Sequence, residues 1–357
     1  MFIDNEGDPT IAAEELKAIA DAESLPPSEP SSHISSAFES DLANLHLKDD
    51  SDSSLFSIHT STTVQNGEGA FASRDIQRGD LIVSERPIYF VRINGPEALV
   101  NMTIEGSVRS LSPTHLDGYL SLQNSHDKCE CFCGYHLLGV FGTNAFAISN
   151  DDAVVALKAS RFNHSCSPNA KYSFDSDTGE LQIYALGTIP RGEEIFISYI
   201  SSPHRSPRRS RQATLHSGYH FTCACSGCSL PKAESKMSDT RRQRVNELLE
   251  IGPLSPTQGV QYLNSVVEGI RLLQEEGCLG GVGDFTKDAG DICAYHSDWV
   301  STSYWAGLTY HARVAEFGKD SPRVAEVREL YLNPKSSAYA GSGPPKDLTR
   351  IRVQLIL

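Results

Sequence analysis

The chain has 357 residues, 39% of them hydrophobic and 21% charged, with a formal net charge of −14. This length suits one large domain plus a smaller one, and the composition is that of a soluble globular protein. The acidity argues against general nucleic-acid binding, which needs clustered Lys and Arg. A basic partner is compatible with it, although solubilising acidic tails explain the charge more simply.

Residues 1 to about 55 are rich in Asp, Glu, Ser and Pro, as in ESLPPSEPSSHISS and LKDDSDSS. Such a stretch buries too little apolar surface to offset its ordering entropy, so disorder is expected there, with a short helix near Ile11 to Ala22. The opening MFIDNEGDPT lacks the basic region and apolar core of a secretory signal. No run of about eighteen apolar residues occurs, so no membrane span is expected. Cytoplasm or nucleus is the expected location, where nine cysteines are better read as thiols or metal ligands than as disulfides.

Order is expected from Phe56. FASRDIQRGDLIVSERPIYFV mixes short apolar alternations with breaks at Gly79 and Pro87, a strand pattern. Residues 94 to 142 read as mixed and partly helical. LQIYALGTIPRGEEIFISYI reads as two strands. Leu181, Ile183 and Ala185 alternate in the first, Ile195, Ile197 and Tyr199 in the second, and Pro190 to Gly192 form the turn. PHRSPRRSR, residues 203 to 211, reads as a solvated loop leading into a helix, with a weak nuclear signal or a substrate-adjacent patch as alternatives. Beyond Ala233 the pattern becomes helical: TRRQRVNELLEI, then VQYLNSVVEGIRLLQEEG with Val260, Leu263, Val267, Ile270 and Leu273 near helical spacing, then Ile292 to Phe317 and Ser321 to Tyr331. The closing DLTRIRVQLIL is apolar and reads as strand or helix.

Cysteine spacing carries the first chemical signal. In FTCACSGC, Cys223, Cys225 and Cys228 form a C-x-C-x-x-C group, three thiolates able to reach one ion. A structural zinc site takes four ligands, and Cys166 in RFNHSCSPNA is the candidate for the fourth. Four buried thiols without metal are the alternative. HDKCECFCGYH holds Cys129, Cys131 and Cys133 between His126 and His136, a weaker metal pattern. Cys278 and Cys293 read as core cysteines of helices.

Taken in order, GEGAFASRDIQRGD, NHSCSPN, GEEIFISY and FTCACSGC resemble the SET-domain protein methyltransferases that carry a post-SET zinc clip. The likeness covers about residues 58 to 230. Within the family it is nearest to the SMYD-like group and its fungal SET-only cousins, which TNAF at 143 to 146 and the helical tail also fit. The resemblance implies an α+β fold: a β-rich SET domain with a knot-like core, a helical insertion, a zinc clip and a helical C-terminal region similar to tetratricopeptide arrays. No 34-residue repeat is visible. The implied domains are a disordered stretch 1–55, a SET domain 56–200 with its insertion at 94–142, a zinc segment 201–233 and a helical domain 234–357. The MYND zinc module of SMYD relatives needs more Cys and His than residues 126–136 supply, so it is not expected.

For function, the resemblance implies S-adenosylmethionine-dependent methylation of a lysine on a protein, histone or other. A monomer is expected, and the charge and the absence of a long apolar run predict neither direct nucleic-acid binding nor membrane binding. Asn163 and His164 would contact the cofactor. Gly67, Glu68 and Gly69 would lie against its methionine end, where glycine lets the backbone approach closely. Asn144 would add a polar contact, and Phe221 would pack on the adenine. Cys166, Cys223, Cys225 and Cys228 would hold structural zinc. Tyr199 matches the catalytic tyrosine, which would also border the cofactor, and Tyr219 a second channel tyrosine. The target amine must be neutral to attack, and a narrow apolar aromatic channel both disfavours its charged form and aligns it. Two alternatives stay open: a SET-fold interaction protein without activity, and methyl transfer to a non-histone protein or a small amine.

Overall fold

The computed structural model describes residues 55–61, 67–126, 134–251 and 259–353. The helix expected near Ile11 to Ala22 and the Cys129, Cys131 and Cys133 group lie outside these residues. The described chain is an α+β fold of ten short strands and nine α-helices.

The strands form small sheets. β1 (Phe56–Thr60) pairs antiparallel with β2 (Glu68–Ala72). β3 (Leu81–Glu85) lies beside β9 (Glu180–Ala185), which also pairs with β8 (Ala170–Asp175). β4 (Tyr89–Arg92) pairs with β6 (Asp152–Val155), and β5 (Phe146–Ala147) adds to the other side of β6. β7 (Asn163–His164) runs parallel to β10 (Phe196–Ile197), with Asn163 opposite Phe196 and His164 opposite Ile197. Leu181, Ile183 and Ala185 alternate inward as their period of two requires, and bury fully with Ile76, Phe162 and Ile195 in one core. The second strand of this region is shorter than its sequence pattern, only Phe196–Ile197. Gly192 sits at φ 85° in the turn before it, where Glu193 N–H donates to Pro190 O at 3.1 Å.

Three helices fill the insertion: α1 (Glu97–Arg109), α2 (Pro113–Leu120) and α3 (Gly134–Asn144). Ile104, Val108, Tyr119, Leu137 and Val140 give them a core of their own against Tyr89, Val91 and Val155. α4 (Arg208–Tyr219) follows the strands.

The helical region comprises α5 (Lys232–Ile251), α6 (Gly259–Glu275), α7 (Val282–Tyr295), α8 (Trp299–Phe317) and α9 (Pro322–Leu332). Leu263, Val266, Ile270 and Leu273 form the buried stripe of α6 against Phe285 and Trp305. The stretch Ile292 to Phe317, which reads as one helix, is two. Ser297 takes φ 60°, and Asp298 caps α8 by accepting from Ser301 N–H at 3.0 Å. Cys278 is buried but lies in the loop after α6, whereas Cys293 is within α7. The described part of the closing stretch, through Val353, is neither strand nor helix. The domain boundaries read from the sequence remain the division we propose.

One buried arginine, paired within the helical region, ties that region to loops of the strand domain. Arg242 of α5 is fully buried, and its Nε donates to Glu276 Oε2 at 2.9 Å. Its other nitrogens donate to Pro203 O at 2.8 Å, Ser167 Oγ at 3.2 Å and Cys166 O at 3.4 Å. Removing Arg242 would leave Glu276 with Arg241, at 2.6 Å, as its one cation among the described residues. It would also take the donor from three loop acceptors and empty a buried side-chain volume. Arg242→Ala is expected to cost about 3–5 kcal/mol, read from denaturant unfolding. A loss below about 1 kcal/mol would show that the strut is not needed.

Candidate functional site

Asn163 and His164 are brought against the end of β10 by the parallel β7–β10 pairing, and the residues just after β10 include Tyr199. The contacts there run in a chain. Tyr199 N–H donates to His164 Nδ1 at 2.9 Å, and His164 Nε2 lies 3.3 Å from Cys166 Sγ. Burial pushes the imidazole down to about 4, ahead of the smaller influences of Cys225 and Arg211. The ring is therefore neutral near pH 7. Because Nδ1 accepts from the backbone, Nε2 carries the proton and donates to the sulfur.

Cys166, Cys223, Cys225 and Cys228 place their Sγ atoms within 4.8 Å of one another. Cys166 Sγ is 4.0 Å from that of Cys223 and 3.6 Å from that of Cys228. Four sulfurs around an ion at the usual zinc–sulfur length sit about 3.8 Å apart, so the donor set fits a tetrahedral metal. Hydrogen bonds from the other three thiols hold the Cys225 thiol far below the ordinary range. Gln212 fixes the Cys223 backbone from both sides, its Nε2 donating to Cys223 O at 2.7 Å and its Oε1 accepting from Cys223 N–H at 2.9 Å. Arg211 is also buried here, with Nη2 3.7 Å from Cys228 Sγ. Hence the 203–211 stretch is not simply a solvated loop. It forms a short 3₁₀ turn and the start of α4, and turns one guanidinium inward onto the thiols.

Two cavities meet at the tyrosines. One, of about 1220 Å³, is lined by Gly67, Glu68, His126, Asn163, His164, Phe196, His220 and Phe221 among others. The second, of about 510 Å³, is lined by Phe146, Tyr172, Phe174 and Ser198–Ser202, and by Cys278, Gly281, Asp284, Phe317 and Arg323 of the helical region. Thr143, Asn144, Ser160, Tyr199 and Tyr219 face both. The Tyr199 and Tyr219 rings are 5.0 Å apart, and Tyr199 is 6.4 Å from the Phe221 ring. Tyr199 donates its hydroxyl to Phe162 O at 2.8 Å, and Tyr219 donates to Tyr199 O at 3.1 Å. Burial raises both phenols above their ordinary range, so both stay neutral.

The remaining site candidates have defined partners. Asn163 Nδ2 donates to Glu68 O at 2.8 Å and Glu194 Oε1 at 2.7 Å. Asn144 Nδ2 donates to Gln123 O at 2.7 Å and Val140 O at 2.8 Å. Glu68 is exposed at the cavity edge, 3.1 Å from Arg161. Gly69 packs so closely that an added Cβ would strike Glu194 Oε1 and come within 2.8 Å of Asn163 Nδ2. Glu194 was not singled out in the sequence. It is buried and accepts from Ser61 Oγ at 2.9 Å as well as from Asn163. In GEEIFISY it reads as one of two adjacent acids before a strand, and its partners Ser61 and Asn163 are both distant in sequence.

Comparison with known proteins follows the same lines. Residues 67–200 match the family model described as the SET domain. The chain is 28% identical over 285 residues to histone-lysine N-methyltransferase set5 of Schizosaccharomyces pombe, covering 78% of this chain and 84% of the relative. It is 33% identical over 110 residues to histone-lysine N-methyltransferase Smyd1 of Mus musculus, covering 26% of this chain and 22% of the relative. It is 45% identical over 73 residues to protein-lysine N-trimethyltransferase SMYD5 of Danio rerio, covering 20% of this chain and 18% of the relative. The chain thus spans most of the first relative and about a fifth of the other two.

Gly69→Ala tests the packing of this wall. The added methyl must displace the Glu194–Asn163 pair, and the expected cost is about 1–3 kcal/mol, read from thermal or denaturant unfolding. Unchanged stability would mean that the wall yields freely.

Proposed function

We propose that this SET-domain chain is a protein-lysine N-methyltransferase that uses S-adenosylmethionine. The observation that carries the reading is the pair of cavities that share Tyr199 and Tyr219 in their walls, one larger, the other smaller and bordered by Phe146, Tyr172 and Phe174. Two reactants held one in each cavity would face each other across the shared wall, which includes both tyrosines. The match of residues 67–200 and the named activities of the relatives support the same reading.

S-adenosylmethionine would supply a methyl group carried on a sulfonium sulfur. The larger cavity suits it in the character of its walls. Gly67, Glu68 and Gly69 would border its amino-acid end, where the absent Cβ of Gly69 leaves the backbone close to Asn163. Asn163 and Asn144 spend their amide hydrogens on the protein, and each keeps a carbonyl oxygen as an acceptor for the cofactor. Both ring nitrogens of His164 are engaged, so it would contribute contact surface and hold Tyr199 in place. Phe221 would offer a ring face to the adenine.

The second cavity would take the lysine. Phe146, Tyr172, Tyr199 and Tyr219 would line its channel, exclude water and favour the neutral amine. Because burial keeps the Tyr199 and Tyr219 phenols protonated, neither is the base; each orients the amine through its hydroxyl or ring wall. Zinc would occupy the four thiolates with no open position, a purely architectural role.

Localisation in cytoplasm or nucleus and action as a monomer belong to the same proposal; among the described residues no helix is long and apolar enough to cross a membrane.

Tyr199→Phe is expected to lower turnover roughly a hundred-fold while leaving S-adenosylmethionine affinity by calorimetry unchanged. Undiminished transfer of labelled methyl to histones or extract protein would remove Tyr199 from the mechanism. Native mass spectrometry is expected to show one zinc ion, lost in Cys225→Ser together with thermal stability. A metal-free wild-type protein of full stability would leave the four thiols as a packing cluster.

A further inference from the structure

Resting on the lysine-methyltransferase reading, the geometry points to a carboxylate-binding subsite on the helical wall of the substrate cavity, centred on Arg323 and selecting substrates with an acidic side chain close to the target lysine. The charged side chains lining that cavity are Lys171, Asp284 and Arg323. Lys171 is neutralised by the buried Glu316 at 2.8 Å. Asp284 is neutralised by Arg313 at 3.3 Å. Arg323 has no carboxylate partner among the described residues, so it supplies the uncompensated charge of the cavity.

Arg323 is also held in position. Its guanidinium carbon lies 4.7 Å from the centroid of the Phe317 ring, a ring shared with Lys171 at 4.6 Å and Arg313 at 5.5 Å. Cation–π attraction to the ring restrains the guanidinium and leaves its N–H donors for a carboxylate, which a guanidinium can bind two-to-two. Glu316 cannot turn to Arg323 without releasing Lys171 and Gly281 N–H, which it accepts at 3.3 Å. The neighbouring His204 adds no charge, since burial pushes it down to about 4, with Arg205, Arg242 and Lys171 acting in the same direction.

The acidity of the whole chain does not cancel this local cation. Of the 45 acidic and 31 basic residues, 13 and 2 precede residue 56, leaving 32 and 29 in the rest. The body of the protein is close to neutral, and beyond about 8–10 Å of salt solution other charges are screened.

The test uses the full chain with S-adenosylhomocysteine and two fluorescein-labelled nine-residue peptides. Each has a central lysine and differs only in carrying Asp or Arg at the two positions on either side. Anisotropy titration is expected to show the Asp peptide binding about five-fold tighter, with the difference shrinking as salt rises. Arg323→Glu should reverse the ranking, Arg323→Gln should abolish it, and Arg323→Lys should retain part of it. Arg323 is exposed, so these variants should melt with the wild type. Equal affinities, no binding of either peptide, or a preference that survives Arg323→Glu would overturn the subsite. Methyl transfer to both peptides is measured in parallel. A preserved binding preference without transfer would overturn the enzyme reading and leave the subsite standing.

Discussion

Everything at the site depends on four sulfur atoms being held in one place. Cys166 comes from the loop after β7, and the other three come from a segment about sixty residues later, beyond α4. Hydrogen bonds from its neighbours let one of these thiols ionise, but all four cannot be anions without a cation among them, because four neighbouring anions repel one another strongly at low dielectric. The buried Arg211 guanidinium answers part of that charge. A divalent metal would answer the rest. Once the cluster is fixed, His164 is fixed through Cys166, and the Tyr199 backbone through His164. The floor between the two cavities is therefore an outcome of the geometry of the thiol cluster as much as of strand pairing.

The helical region enters the same chain of dependence through Arg242. Its guanidinium reaches the carbonyl of Cys166 and the hydroxyl of Ser167 while pairing with Glu276. Glu276, two residues before the cavity-lining Cys278, and the loop that carries Cys166 thus share one buried cation. Such a pair adds little net stability compared with an apolar contact, but it tolerates few alternative arrangements. That suits a cleft built from segments distant in sequence, where lining residues as far apart as Phe146 and Arg323 must keep one relation.

Local signals in the sequence resolved much of this. Cys223, Cys225 and Cys228 lie within six positions, so their convergence is nearly forced, and Leu181, Ile183 and Ala185 alternate as a buried strand must. What the sequence concealed depends on contacts between remote segments. Arg211 reads as one cation in a basic run, and only folding turns it onto the thiols. Glu194 reads as one of two adjacent acids before a strand, and nothing local marks it as the buried partner of Ser61 and Asn163. The break between α7 and α8 is hidden because Cys293 and Trp305 sit on helical periodicities that run past Ser297. Periodicity reports burial, not whether the backbone between two buried faces stays helical.

The tyrosines show why geometry, rather than residue type, decides chemistry here. Burial keeps Tyr199 and Tyr219 protonated, and each hydroxyl already donates to a carbonyl, that of Phe162 or of Tyr199. A protonated phenol whose hydrogen is engaged still has an oxygen lone pair, and that lone pair can accept from an amine. The arrangement therefore favours a nucleophile that brings N–H donors and a compact head into an aromatic neck, and it cannot itself remove a proton. A neutral lysine amine satisfies each of these conditions. A carboxylate would find no donor there, and a hydroxyl would need a base that neither tyrosine supplies.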